Sequence, residues 1–222
     1  MAQKFDIVFE DTHLVVLCKP AGLLSQGEHT GDENLVDLLR AYFGRNYVGL
    51  VHRLDRNTSG IMVVAKRSKS AERLTQSLQE GSLRRSYIAW LEGALPLSTD
   101  PIRWDDWLIR DERTNVTRVA KAGAPGAKRA SLEIRTLVHE SYLGQPVTLC
   151  EFELDTGRSH QIRAQASSRR HPLLGDRKYG ARLDFPRTAL HSHRIEFPHP
   201  MTKELVRFEC PLPADLAIRT ER

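Results

Sequence analysis

The sequence contains no long apolar run and little cysteine. Near the start, its longest uninterrupted apolar stretch is "LVVLC", Leu14 to Cys18, far too short to cross a bilayer, and the opening "MAQKFD" lacks the apolar stretch of a secretory signal. Both features predict a soluble, cytoplasmic protein with no membrane partner. The three cysteines, Cys18, Cys150 and Cys210, are odd in number, widely separated and mostly set in apolar strand-like segments, which predicts buried thiols rather than a disulfide framework. No CxxC or HExxH pair occurs, so a metal site is not expected. The pairs His191/His193 and His139/Glu140 read as polar groups on strands or strand ends. Repeats, low-complexity tracts and flexible linkers are also missing, which excludes solenoids and independently folding modules. With 222 residues, 40% of them hydrophobic, the chain can bury a sizeable core and reads as one bilobed domain over residues 1–222.

What is present in excess is positive charge. The net charge is +5 and the isoelectric point is near 9.3, and basic residues gather at "KRSK" (Lys66 to Lys69), "RR" (Arg84, Arg85), "SSRR" (Ser167 to Arg170) and "DRK" (Asp176 to Lys178). Any one cluster is ordinarily a solvated face, but several beside one set of motifs favour a nucleic-acid partner.

Periodicity gives the class. "FDIVFE" and "HLVVLCKP" read as strands around a turn at Asp11-Thr12, "AGLLSQGEHTGDE" is a loop, and Leu35, Leu38, Leu39, Tyr42 and Phe43 mark an amphipathic helix. A strand "GIMVVAK" precedes a helix from about Ser68, whose hydroxyl is placed to cap it, with Ala71, Leu74 and Leu78 on one face. "SYIAWLEG" is another strand. From Pro96 to Lys128 the pattern loosens into an excursion anchored by Trp104 and Trp107. Alternation returns in "ASLEIRTLVHE", with Ala130, Leu132, Ile134 and Val138 on one face, and in "TLCEFELDT", with Cys150, Phe152 and Leu154. Ser159 is placed to cap a helix to about Ser168, "TALHSHRIEF" and "LVRFEC" add strands, and a short helix follows near Ala214. The class is α+β: a large mixed, mainly antiparallel sheet with flanking helices.

Two polar stretches exceed what turns and helix starts require. "VHRLDRNTSG", Val51 to Gly60, crowds Asp55 between Arg53 and Arg56 just before a buried strand. "TGRSHQIRAQ", Thr156 to Gln165, carries Arg158, Ser159, His160 and Arg163 from a strand end into a helix. An ion pair between Arg163 and Asp55 would keep the aspartate ionised and orient it as a nucleophile; the spacing permits that pair without requiring it.

Together these motifs resemble the RluA-type family of RNA pseudouridine synthases. "HRLDRNTSG" resembles the family's HRLDxxTSG, "IVFEDTHLVVLCKPAGLL" its opening motif, "RRSYIAWLEG" its tyrosine motif, "GRSHQIR" with "HPLLGDRKYG" its basic motif, and "LHSHRIEFPHP" its closing strand. The resemblance covers nearly the whole chain and implies a pseudouridine synthase fold with a central catalytic cleft. It matches Asp55 to the catalytic aspartate, Tyr87 to the tyrosine that lies against the target base, and Arg163 to the basic partner of the aspartate. Arg53 would contact or wedge into the RNA, and His52, Arg84, Arg85, Arg158, His160, Arg169 and Arg170 complete the RNA contacts, the two histidines as structural hydrogen-bonders rather than catalysts. Ser159 stands where threonine is common, and Arg85-Ser86 where lysines are frequent. Because the opening motif starts near Phe5, the S4-type RNA-binding domain of many relatives is not expected.

The implied reaction breaks the uridine N1–C1′ bond, turns the uracil in place and joins C5 to C1′, with no cofactor and no metal. Asp55 would act at the ribose and Tyr87 would be a candidate base for the later proton removal. The target nucleotide must be flipped out of its stack, which favours loops of structured ribosomal or transfer RNA. A monomer with no obligate protein partner is expected. Two other classes compete: an RNA-binding module without catalysis, which would not require Asp55, Tyr87 and Arg163 together, and a two-carboxylate hydrolase, for which Glu72 or Glu153 would be the second acid.

Overall fold

The computed structural model describes residues 4–28, 31–98 and 100–218; His29 and Thr30 of the expected loop, and residues 1–3 of the opening hexapeptide, lie outside the described residues. In chain order the elements are β1 (Asp6–Glu10), β2 (Leu14–Lys19), α1 (Leu35–Phe43), β3 (Gly49–Leu50), β4 (Ser59–Ala65), α2 (Ser68–Gln79), β5 (Arg84–Glu92), β6 (Ile102–Asp111), β7 (Val116–Ala120), β8 (Lys128–Tyr142), β9 (Gln145–Leu154), α3 (Gln161–Ser168), β10 (Leu190–Pro198) and β11 (Leu205–Glu209). No helix among the described residues is long and apolar enough to cross a membrane. The chain divides into two compact units, Met1–Arg85 with His191–Leu212 and Ser86–Leu190 with Pro213–Arg222.

The first unit is built around β4, in which all seven residues are buried. A strand covered on both faces needs a continuous apolar run, and "IMVVA" supplies it. β2 pairs antiparallel along one edge of β4 from Leu14–Ala65 to Lys19–Gly60. The other edge is shared: β3 pairs near Val64 and Ala65, and β10 arrives parallel at Ser59 and Gly60. The β1–β2 turn is closed by Asp11, whose Oδ1 accepts the backbone N–H groups of His13 (2.7 Å) and Leu14 (2.8 Å). α1 starts at Asn34, whose side chain accepts from Asp37 N, and stops at Gly44 in the left-handed region. α2 lays Leu74, Ala71 and Leu78 on the core of Leu14, Val16, Ile61, Val63, Ile195 and Phe197.

The second unit is an antiparallel sheet in the order β5-β9-β8-β6-β7. One core gathers Trp90, Val147, Leu174, Ala189 and Leu216, with the Trp90 indole N–H donating to Leu216 O (2.8 Å). Another joins α3 to the sheet through Leu108, Ala130, Ala164 and Tyr179. The mixed, mostly antiparallel strand pairing with flanking helices is the class the periodicity predicts, and a 3-10 turn at Ala214–Leu216 stands where the short final helix is expected.

Several expectations fail for identifiable reasons. Much of the 96–128 segment is not an irregular excursion, because β6 and β7 form a hairpin whose first strand pairs with β8. The inward face of β6 reads Trp104, Asp106, Leu108, and the aspartate in the middle hides the alternation. Val138 is 38% exposed because a β-bulge between Thr136 and Val138 moves it off the face of Ala130, Leu132 and Ile134. Neither Ser68 nor Ser159 caps a helix: the extended N-cap residue of α2 is Arg67, and that of α3 is His160 in the left-handed region, both without a side-chain cap. Cys18 and Cys210 are joined as a disulfide rather than held as two thiols. They are 192 residues apart in sequence, yet their Cα atoms lie 6.0 Å apart because β10 and β11 return to the first unit. Cys150 is the buried thiol expected, and burial pushes its pKa up to about 12.

Gly60 is the position where the first unit leaves no room. Its φ is +119°, and a Cβ there would meet Ser192 O at 2.1 Å. We predict that Gly60→Ala costs about 3 kcal/mol or more, since neither backbone can withdraw from the parallel pairing. Urea unfolding checks this, and a variant as stable as the parent would show that β4 and β10 have slack.

Candidate active site

Asp55 lies in the loop between β3 and β4, and the backbone on both sides of it is fixed. The Ser25 hydroxyl donates to Leu54 O (2.7 Å) and accepts from Leu54 N (3.1 Å). On the other side Arg56 O accepts from Gly22 N (2.8 Å) and from the Lys19 ammonium (3.3 Å). Lys19 is only 1% exposed and also donates to Pro20 O (2.9 Å) and Leu23 O (2.7 Å), so the buried cation is solvated by carbonyl oxygens. Thr58 N closes the loop onto Asp55 O (3.0 Å), and the Ser59 hydroxyl meets His191 Nδ1 at 2.9 Å. Asp55 itself is half-buried. The flanking arginines point outward, Arg56 to Asp32 (2.7 Å) and Arg53 to Glu28 (3.6 Å), both on the surface, where such pairs contribute little stability. The charge crowding in this loop therefore separates into one half-buried carboxylate and two exposed guanidinium groups. Lys19 and Ser25 were not singled out from sequence, although Lys19 stands in "CKPAG", where a lysine at the end of an apolar strand is out of pattern.

Tyr87 and Arg163 belong to the second unit. Tyr87 lies on β5 opposite Phe152 of β9 and is 5% exposed, and the neighbouring Ser86 hydroxyl donates to Glu151 (2.6 Å). Arg163 projects from α3 into a two-pronged ion pair, Nε to Asp176 Oδ2 (2.6 Å) and Nη2 to Asp176 Oδ1 (2.8 Å), and its guanidinium lies 4.8 Å from the Tyr179 ring centre. Asp176 is 1% exposed and was missed as a partner; its only signal is a lone acid in "LLGDRKYG". Planar pairing of this kind locks the guanidinium in one plane. The Tyr179 hydroxyl accepts from Thr117 N (2.9 Å) and shares a hydrogen bond with His160 Nδ1 (2.8 Å). Gln161 does the work expected of Ser159: its Oε1 accepts from Arg158 N (3.0 Å) and the Thr156 hydroxyl (2.8 Å), and its Nε2 donates to Ser131 O (3.0 Å).

The expected RNA contacts sort unevenly. Arg53, Arg84, Arg158 and Arg170 are exposed, and His160 is half-buried. His52 and Arg85 are 7% and 6% exposed. His52 Nε2 accepts from Val63 N (3.2 Å), so the ring serves the backbone of β4. Arg169 pairs with Asp106 (2.9 Å) and lies 4.4 Å from the Trp104 ring centre. Among the described residues no three His, Cys, Asp or Glu side chains are grouped to hold a metal.

Burial, and then the charge of Arg85, push the His52 pKa from 6.5 down to about 3. The folded state therefore keeps the ring neutral while the unfolded chain protonates it, so its stabilising effect is complete above about pH 6.5 and is lost as pH falls toward 3. We predict that the stability difference between the parent and His52→Gln, which keeps an acceptor but does not titrate, shrinks by up to about 1.4 kcal/mol per pH unit between pH 6 and 4. Urea unfolding at four pH values measures this, and parallel curves would contradict a neutral buried ring.

Comparison with known proteins meets this geometry. The family model described as RNA pseudouridylate synthase matches residues 13–168, which include the Asp55 loop, Tyr87 and Arg163. The chain is 36% identical over 219 residues to the uncharacterized RNA pseudouridine synthase YhcT of Bacillus subtilis, covering 96% of this chain and 70% of that one. It is 35% identical over 233 residues to ribosomal large subunit pseudouridine synthase D of Neisseria meningitidis, covering 95% of this chain and 59% of that one. Among solved structures, human RNA pseudouridylate synthase domain containing 1 superposes with a TM-score of 0.77 at 27% identity, over 93% of this chain and 83% of that one. The chain belongs to the RNA pseudouridine synthase family.

Proposed function

We propose that this enzyme isomerises uridines in ribosomal RNA, with Asp55 acting at the ribose, Tyr87 set against the target base and Arg163 as the basic partner of the aspartate. The observation that carries the reading is the Asp55 loop: Leu54 and Arg56 are held by Ser25, Gly22 and Lys19, so the carboxylate between them is presented from a fixed backbone. Preorganisation of that kind suits a group that must meet one carbon of a flipped nucleotide. Ribosomal RNA is favoured over transfer RNA by the name of the Neisseria relative.

In the proposed route, Asp55 engages the sugar as the N1–C1′ bond breaks, the freed uracil turns while bound, and C5 joins C1′. The proton on C5 then leaves, N1 gains one, and the product is an isomer with no atom added or lost. Tyr87 is the candidate acceptor for the C5 proton. Arg163 is suited to a positioning role because Asp176 already fixes its plane. The same reading has the enzyme working as a monomer in the cytoplasm.

Asp55→Asn keeps the shape of the side chain and removes its charge. We predict that it lowers proton release from C5-tritiated RNA by about a hundredfold or more while RNA affinity stays within about twofold. Activity within tenfold of the parent would remove Asp55 from the mechanism, and release of free uracil by the parent would favour a hydrolase. Mapping pseudouridines in total RNA with and without the gene would identify the RNA and the position.

A further inference from the structure

The second unit contains an open cavity of 810 Å³ that neither Tyr87 nor Arg163 lines. Its walls come from the end of β5 (Glu92), the residues after α3 (Arg170, His171) and the 179–183 segment (Tyr179, Arg182, Leu183). The volume falls within the range of about 300–1,000 Å³ typical of small-ligand clefts, which is ample for a nucleotide.

The backbone at Arg170 is the first reason to assign a ligand. α3 ends with Arg169 as its C-cap, and the chain turns back through Arg170 at φ +67°, letting His171 N reach Ala166 O (3.1 Å). That turn belongs to glycine, which pays no steric penalty there. An exposed arginine in its place gains nothing for the turn, and strained positions of this type concentrate where a side chain serves a ligand.

Charge is the second reason. Among the described residues, neither Arg170 nor Arg182 has a side-chain hydrogen bond or ion pair. The one acid in the wall is already engaged: Glu92 Oε1 accepts from Arg182 N (2.8 Å) and Leu183 N (2.7 Å), so the carboxylate holds the backbone that carries Arg182. His171 is fixed as well, its Nδ1 bonded to Glu92 O (2.9 Å), with its ring where a Cβ on Gly93 would fall. Two unengaged guanidinium groups beside Leu183 and Tyr179 offer cations for a phosphate and an apolar wall for a base.

We infer that this cavity binds a nucleotide of the RNA other than the uridine being modified, its phosphate between Arg170 and Arg182 and its base against Leu183 and Tyr179. The inference rests on the proposed function only in taking RNA as the partner. A subsite of this kind would give the enzyme a second hold on its substrate, setting which neighbours of the target uridine are accepted.

The test uses the whole chain and a ribosomal RNA fragment that the parent modifies. Arg170→Gly removes the side chain and relieves the backbone, so Tm should hold or rise while RNA affinity falls about fivefold or more, and KM should rise more than kcat falls. The slope of log affinity against log salt should become shallower by about one. Arg182→Ala should give the same loss, and the double variant should lose little beyond either single change if one phosphate is shared. Unchanged affinity and salt slope in all three variants, with the parent binding and isomerising normally, would overturn the subsite and leave the proposed function standing. A parent that binds no RNA would overturn both.

Discussion

The geometry around Asp55 depends on a single close approach between two backbones. β4 and β10 run parallel at Ser59–His191 and Gly60–Ser192, and the fit leaves no space for a side-chain carbon on Gly60. From this contact the Ser59 hydroxyl reaches His191 Nδ1, while His191 Nε2 reaches Cys210 O (3.0 Å). The loop leading into β4 inherits a fixed end, and Lys19, Ser25 and Gly22 fix the remainder. The Asp55 carboxylate is thereby presented from a backbone held by hydrogen bonds to its own main-chain groups.

Much of this was legible in the sequence, and what was not has physical causes. Strands such as β4 and β9, whose buried faces are mostly apolar, read directly from periodicity. β6 did not, because its inward Asp106 is paired with Arg169 and accepts a hydrogen bond from the Gln165 amide, residues far away in sequence. Ser68 and Ser159 are capping types, but each lies one residue from the N-cap, Arg67 for α2 and the left-handed His160 for α3, while Gln161 does the stabilising from inside the helix. The Cys18–Cys210 link was invisible because spacing says nothing about which strands return to the same unit. Long-range partners in general, Asp176 for Arg163 above all, need coordinates.

Residue type alone also overstates how much positive charge is left unpaired at the surface. Arg163 is committed to Asp176 and Tyr179, Arg169 to Asp106 and Trp104, and Arg85 is buried beside His52. Arg53 and Arg56 are offset by Glu28 and Asp32. Arg163 and Arg169 share a signature: each makes a planar contact with a ring and pairs with a carboxylate.

The way the chain divides has a consequence for how the protein is made. Residues 86–190 intervene between the two parts of the first unit, whose core includes Ile195 and Phe197 alongside Ile61 and Val63. As the chain leaves the ribosome, the β1–β4 segment emerges early but must wait with the Ser59–Gly60 edge of its sheet unpaired until β10 has been synthesised. The second unit, largely continuous in sequence, is free to fold first. The Asp55 loop therefore acquires its fixed end only after β10 has been made, and nascent chains stalled before residue 191 carry an exposed strand edge at Ser59 and Gly60.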